Sequence, residues 1–187
     1  MTAHLVFLLE ERSAKEMLDG LLPRLFQQPV SYRCIVFDGK QDLEKQLVRR
    51  IRGYRAPGAR FVVIRDQDSG DCHLIKERLS EMCRQAGHPE ALVRIPCREL
   101  ESWYLADLKA VEEGLRLRGI AALQQQATYR NPDVLASPGL ELDRITKGRY
   151  QKVIGSRAIG AHLDPANVRS NSFKVFIAGL KSMANPA

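Results

Sequence analysis

The residues best equipped for chemistry in this chain are carboxylates, and they stand where short apolar runs stop. Glu10 and Glu11 follow Leu5–Leu9, and Asp38 closes the run YRCIVF. Asp66 and Asp68, with Asp71 just beyond, follow Phe61–Ile64, and Glu99 and Glu101 follow LVRIPC. Carboxylates brought together raise one another's pKa unless a cation neutralises them. Oxygen ligands without a Cys pair or clustered histidines suit Mg²⁺ or Mn²⁺ rather than zinc. Mg²⁺ is commonly held by one or two carboxylates plus substrate phosphates, so a half-built acidic site points to phosphate chemistry. Each acid taken singly also fits a helix start, where Asp and Glu cap and complement the dipole. Three acidic loops meeting at one end of a sheet are harder to explain that way.

Other nucleophiles are poorly placed. Cys34, Cys72, Cys83 and Cys97 are widely separated, which fits a reduced, cytoplasmic protein. Cys72 and His73 are neighbours on a helix and form no nucleophile–base pair. Gly155-Ser156-Arg157 lacks the glycine–lysine spacing of a phosphate-binding loop. Trp103 and Tyr104 read as core or groove lining. The net charge of +7 favours an anionic partner, nucleic acid foremost. Residues 141–187 hold eight Lys/Arg against three Asp/Glu, whereas residues 1–140 hold 21 against 19. Lys147, Arg149, Lys152, Arg157, Arg169 and Lys174 in this tail, with Arg98, are the candidate nucleic-acid contacts. The tail cations read equally well as a solvated face.

Positioning these groups requires an alternating pattern of strands and helices. Strands are expected at 5–9, 32–37, 61–64 and 92–97, apolar enough on both faces to be buried in a parallel sheet. Helices are expected at 13–27, 41–52, 71–86 and 98–115. Ser13 with Glu16 reads as a capping box for the first, and Pro96 as the end of the last strand. Chemistry in such a sheet belongs at the carboxyl ends of its strands. Residues 1–120 read as an α/β core. Residues 121–187 read as a basic extension packed on it, with a loop over 128–140 and short helices at 141–147 and 172–184. No apolar run is long enough to span a bilayer, and residues 1–12 lack the pattern of a secretory leader.

With these elements in place the chain resembles the Toprim domain of topoisomerases, bacterial primases and OLD-type nucleases. That domain carries a Glu after its first strand and a DxD after its third, matched here by Glu10 in LLEERSAKEM and by Asp66 and Asp68 in VIRDQDSGDC. The glycine usual after the Glu is replaced by Glu11, so both acids remain candidates. The strings LEERS, GKQDLEKQL, RDQDSGDC, RIPCRELESWYLADL and QKVIGSRAIGAHL resemble a bacterial family of small stand-alone Toprim-like proteins of unknown function. The resemblance runs from residue 5 to about 180. It implies a Mg²⁺- or Mn²⁺-dependent nuclease encoded beside an ABC- or SMC-like ATPase, the effector of an anti-phage module acting on RNA, tRNA included, or on DNA. Glu10 would be acid/base or metal ligand, Asp66 and Asp68 metal ligands, and Glu101 with Glu99 the acids for a second ion. Arg98 and Lys152 would steady charge on the phosphate.

Two other classes compete. A non-catalytic module binding nucleic acid or the ATPase would keep its binding without the acids and lose it with the basic tail. A receiver-like or phosphatase-like domain would need a nucleophilic Asp after the first strand, where Glu10 and Glu11 stand. Whether the chain forms a homodimer is left open.

Overall fold

The computed structural model describes residues 4–26 and 30–184. Met1–Ala3, Gln27 at the expected end of the first helix, and the last three residues of the extension lie outside the described residues. Four strands form one all-parallel sheet in the order β2-β1-β3-β4: β1 (His4–Leu9), β2 (Ser31–Val36), β3 (Ala59–Ile64) and β4 (Leu92–Arg94). This is an α/β fold with a Rossmann-like sheet flanked by helices, the class to which Toprim domains also belong. Strand β1 is central and fully buried from Leu5 to Leu9.

Because successive side chains point to opposite faces of a sheet, β1 feeds two cores. Val6 and Leu8 pack with Phe61, Val63 and Val93 under α2 (Lys40–Arg52) and α3 (Cys72–Gln85). Leu5, Phe7 and Leu9 pack on the other face under α1 (Arg12–Leu25), α4 (Glu101–Leu105), α5 (Leu108–Gly114), α6 (Pro138–Thr146), α7 (Lys152–Gly160) and α8 (Asn171–Ala184). Leu142, Ile159, Leu163, Phe173, Phe176 and Leu180 from residues 121–187 share that second core with β1 and β3. Trp103 and Tyr104 are buried in it, Trp103 stacked on Phe176 and donating its indole N–H to Ser172 Oγ at 2.8 Å. Among the described residues no helix is long and apolar enough to cross a membrane.

Several expectations change: no residue of the edge strand β2 is fully buried, β4 ends at Arg94 rather than at Cys97, and the helices differ locally. Helix α1 starts at Arg12 with Glu11 at its cap position, and Ser13 lies inside the first turn, its hydroxyl donating to the Glu11 carboxylate. No capping box forms, because Glu16 is turned to Arg12 and Arg157 instead.

The helix expected over 98–115 begins at Glu101 and breaks after Leu105. Asp107 stops it by accepting the Ala110 amide at 3.1 Å and the Asp164 amide at 2.8 Å. Gln124 bridges the break, accepting from Leu108 N–H and donating to Leu105 and Tyr129 carbonyls. Asp107→Ala would strand both amides, and a cost of about 2 kcal/mol is expected. A thermal melt checks it: the midpoint should drop by about 4–8 °C, and an unchanged midpoint would remove the strut role.

The stretch 128–140, expected as loop, holds short 3-10 turns at Ala127–Tyr129 and Pro132–Val134 and then the start of α6. Helix α7 was not expected at all. It presses backbone to backbone on α1, because a Cβ at Gly160 would collide with the Met17 carbonyl and one at Gly20 with Ala161 N.

Candidate functional site

The acids converge at the carboxyl end of the sheet, held there chiefly by backbone. Glu10 leaves β1 with its N–H on Ile64 O (3.2 Å) and its carbonyl accepting from Gly39 N–H (3.0 Å), so it is pinned between the ends of β3 and β2. Its carboxylate accepts the Asp66 N–H at 3.0 Å. Burial raises the Glu10 pKa above the usual carboxylate value, opposed by the Asp66 amide and reinforced by Asp68.

The loops after β3 and β4 are stitched together. Asp68 and Arg98 both adopt left-handed backbone (φ 55° and 62°). Asp68 N–H donates to Arg98 O at 2.7 Å, and Arg98 donates its amide to Gln67 Oε1 (3.1 Å) and its guanidinium to Asp68 O (3.1 Å). Gln67, the middle residue of the DxD, is therefore a strut between loops. The Asp68 carboxylate meets the Lys40 ammonium at 2.7 Å, an exposed pair of little energetic weight.

Asp66 sits at the centre of the charge. Its pKa is pushed well above the usual value, first by burial, then by Glu11, Glu101 and Glu10, with Lys152 opposing. Glu101, 3 % exposed, accepts the Tyr150 hydroxyl at 2.8 Å on Oε1, while its buried Oε2 has no partner among the described residues. Burial raises its pKa too, against Lys152 and Tyr150. Lys152, at the first position of α7, places its ammonium 2.7 Å from Glu11 Oε2. Burial works against that ammonium, but Glu11, Glu101 and Asp66 overcome it and raise its pKa.

Glu10, Glu11, Asp66 and Glu101 thus act on one another, with Lys152 the cation set against Glu11, Asp66 and Glu101 and Arg65 acting on Glu10. Glu99 accepts the Gly139 amide at 2.6 Å, at the start of α6, and a Cβ at Gly139 would touch both the Glu99 and Glu101 carboxylates. Asp71 caps α3 through His73 and Leu74 N–H. Asp38 stays outside the cluster; its amide donates to the Asp42 carboxylate.

The candidate cations divide. Arg98 and Lys152 belong to the acidic edge. Lys147 and Arg149 are exposed on the turn that carries Tyr150 to Glu101. Arg157 pairs with Glu16 at 3.2 Å. Arg169 lines a separate cleft with Asp107, Lys109 and His162, and Lys174 is exposed on α8. Tyr150, like Lys40 and Gln67, has no signal in the sequence: GRYQK carries no periodicity or motif, and its partner Glu101 lies 49 positions away.

In kind, these donors fit a hard divalent cation: hard oxygens, partly desolvated, short of positive charge, and with one buried carboxylate oxygen unpartnered. Among the described residues no three of them are drawn closely enough together to hold a metal ion as they stand.

The family model described as a domain of unknown function (DUF4276) matches residues 9–181. The chain belongs to this family. The match begins at the last residue of β1 and ends within α8, so it takes in the acidic edge, Tyr150 and Lys152. Neither a curated protein nor a solved structure matches the chain.

Proposed function

We propose that this member of the family is a Mg²⁺- or Mn²⁺-dependent nuclease of the Toprim kind that hydrolyses phosphodiester bonds in RNA or DNA. The observation that supports it most is the crowding of Asp66 by Glu10, Glu11 and Glu101, opposed by the Lys152 ammonium that also pairs with Glu11. Packing carboxylates this way costs stability unless a cation neutralises them, and groups perturbed in this way cluster at functional sites. Asp66, Asp68 and Glu101 would hold the cation, with Glu11 released to it when Lys152 moves to the phosphate. A bound divalent ion would supply Lewis-acid activation of the phosphate and of the attacking water. Glu10, a stronger base than a free carboxylate because its pKa is raised, would take the proton from that water. Lys152 and Arg98 would offset charge building on the phosphate oxygens. From the sequence resemblance we further infer a cytoplasmic effector in an anti-phage module, working beside an ABC- or SMC-like ATPase.

The test is incubation of total tRNA, single-stranded RNA, plasmid and linear DNA with Mg²⁺ or Mn²⁺, wild type against Asp66→Ala. Metal-dependent cutting that vanishes in the variant supports the nuclease. Tyr150→Phe, which releases Glu101 without removing it, should keep the fold and weaken divalent-metal affinity about tenfold, measurable by calorimetry.

The second reading is a non-catalytic module that binds nucleic acid or the ATPase. It is favoured by the absence, among the described residues, of a ready-made metal cage. Binding that survives Asp66→Ala but is lost in Lys152→Glu/Arg157→Glu, with no cutting by the wild type, would select it.

A further inference from the structure

Away from the acidic edge, residues 45–60 (KQLVRRIRGYRAPGAR) contain Lys45, Arg49, Arg50, Arg52, Arg55 and Arg60 and no Asp or Glu. The near-neutral balance of residues 1–140 conceals this run. The last turn of α2 and the edge strand β2 enclose a groove of about 430 Å³ lined by Arg33, Arg49, Arg50 and Tyr54. Arg33, Arg49 and Arg50 are exposed, and among the described residues none is paired with a carboxylate; Arg49 donates only to Gln46. Cations at a helix C-terminus complement the dipole. That accounts for Arg49 and Arg50 on α2 but not for Arg33, which joins them from the strand.

We infer that this groove binds the phosphodiester backbone of a nucleic acid several nucleotides from the acidic edge. The inference rests on the nuclease reading for the identity of the polyanion, not for its cutting. Helix α2 begins beside the site, where Gly39 N–H meets Glu10 O. Arg49 lies ten residues further on, about 15 Å at 1.5 Å per residue. On a duplex that separation is four to five phosphates of one strand at about 3.4 Å each. Guanidinium groups suit this task, since they stay charged and meet phosphate oxygens in a fork.

The test is fluorescence anisotropy with labelled 20-nucleotide DNA and RNA, single-stranded and duplex, in EDTA across a salt series. Wild type is compared with Arg33→Glu/Arg50→Glu, with the milder Arg33→Gln/Arg50→Gln, and with Arg118→Glu/Lys181→Glu, which changes net charge equally at exposed sites elsewhere. The groove variants should bind at least about tenfold more weakly, and the slope of log affinity against log salt should lessen by about 1.5. The control pair should stay near wild type. Groove variants that bind like wild type, an equal loss in the control pair, or a wild type that binds no nucleic acid would each overturn the inference. The last of these would leave an acidic protein surface as the partner. Selective loss of binding in a protein that cuts nothing keeps the groove and removes the nuclease; intact binding in a protein that cuts does the reverse.

Discussion

Asp66→Asn is expected to abolish metal-dependent cleavage and at the same time to make the protein melt higher. The activity loss should be at least about 10²–10³-fold, because the central ligand and its charge go together. The stability gain follows from the sign of the pKa shift. Asp66 titrates well above its usual value in the folded chain, so between its unfolded and folded pKa values the folded state binds more protons, and stability falls as pH rises. Above the folded pKa the wild type carries the whole penalty of a charged, crowded carboxylate; below the unfolded pKa it carries none. The variant should therefore melt about 2–4 °C higher near neutral pH, a gain of about 1 kcal/mol. The gap should close as pH falls toward 4. Mg²⁺ should raise the wild-type midpoint and leave the variant's unchanged. A variant less stable than wild type at neutral pH would mean that Asp66 is a structural acid, its charge satisfied in place.

Gly160→Val is expected to cost about 1–3 kcal/mol and lower the thermal midpoint by about 2–12 °C. The obstruction is the Met17 carbonyl of α1, which is backbone and has no rotamer by which to yield. The consequence reaches the site, because α7 carries Lys152 at its other end and α1 begins beside Glu11. Prising the helices apart should loosen Lys152 from Glu11 and Tyr150 from Glu101, so divalent-metal affinity should change along with stability. Ile154→Val, at an exposed position of the same helix, should change neither. Thermal melts and metal titration of both variants separate the outcomes. A Gly160→Val protein as stable as wild type would show that the α1–α7 contact is slack.

What could be read in the residues divides along physical lines. Strands β1 and β3 announce themselves as apolar runs buried on both faces, whereas β2, an edge strand without a fully buried residue, shows only through its β-branched and aromatic side chains. The acids at their ends follow from the topology, since parallel strands bring all their carboxyl ends to one edge. Helix α7 escaped because its buried face is Gly155, Ser156, Ile159 and Gly160. Small residues permit backbone contact but leave no hydrophobic period to detect. The break at Asp107 escaped for another reason: apolar positions run evenly from Leu100 to Leu115, and of the two amides that Asp107 accepts, one is the local Ala110 and the other comes from distant Asp164. Glu99 and Glu101 looked alike by spacing. Only the fold shows one turned to the Gly139 amide and the other buried with an unpartnered oxygen. The groove at Arg33 was invisible for the same cause, because its cations come from a strand and a helix that only packing sets side by side.

On the proposed function, the acidic edge exists to hold a divalent cation. Calorimetric titration of Mg²⁺ and Mn²⁺ into wild type and Asp66→Asn at neutral pH tests it most directly. The account predicts saturable binding by wild type that is lost, or at least about tenfold weaker, in Asp66→Asn. No binding by the wild type, or equal binding by both proteins, would contradict it.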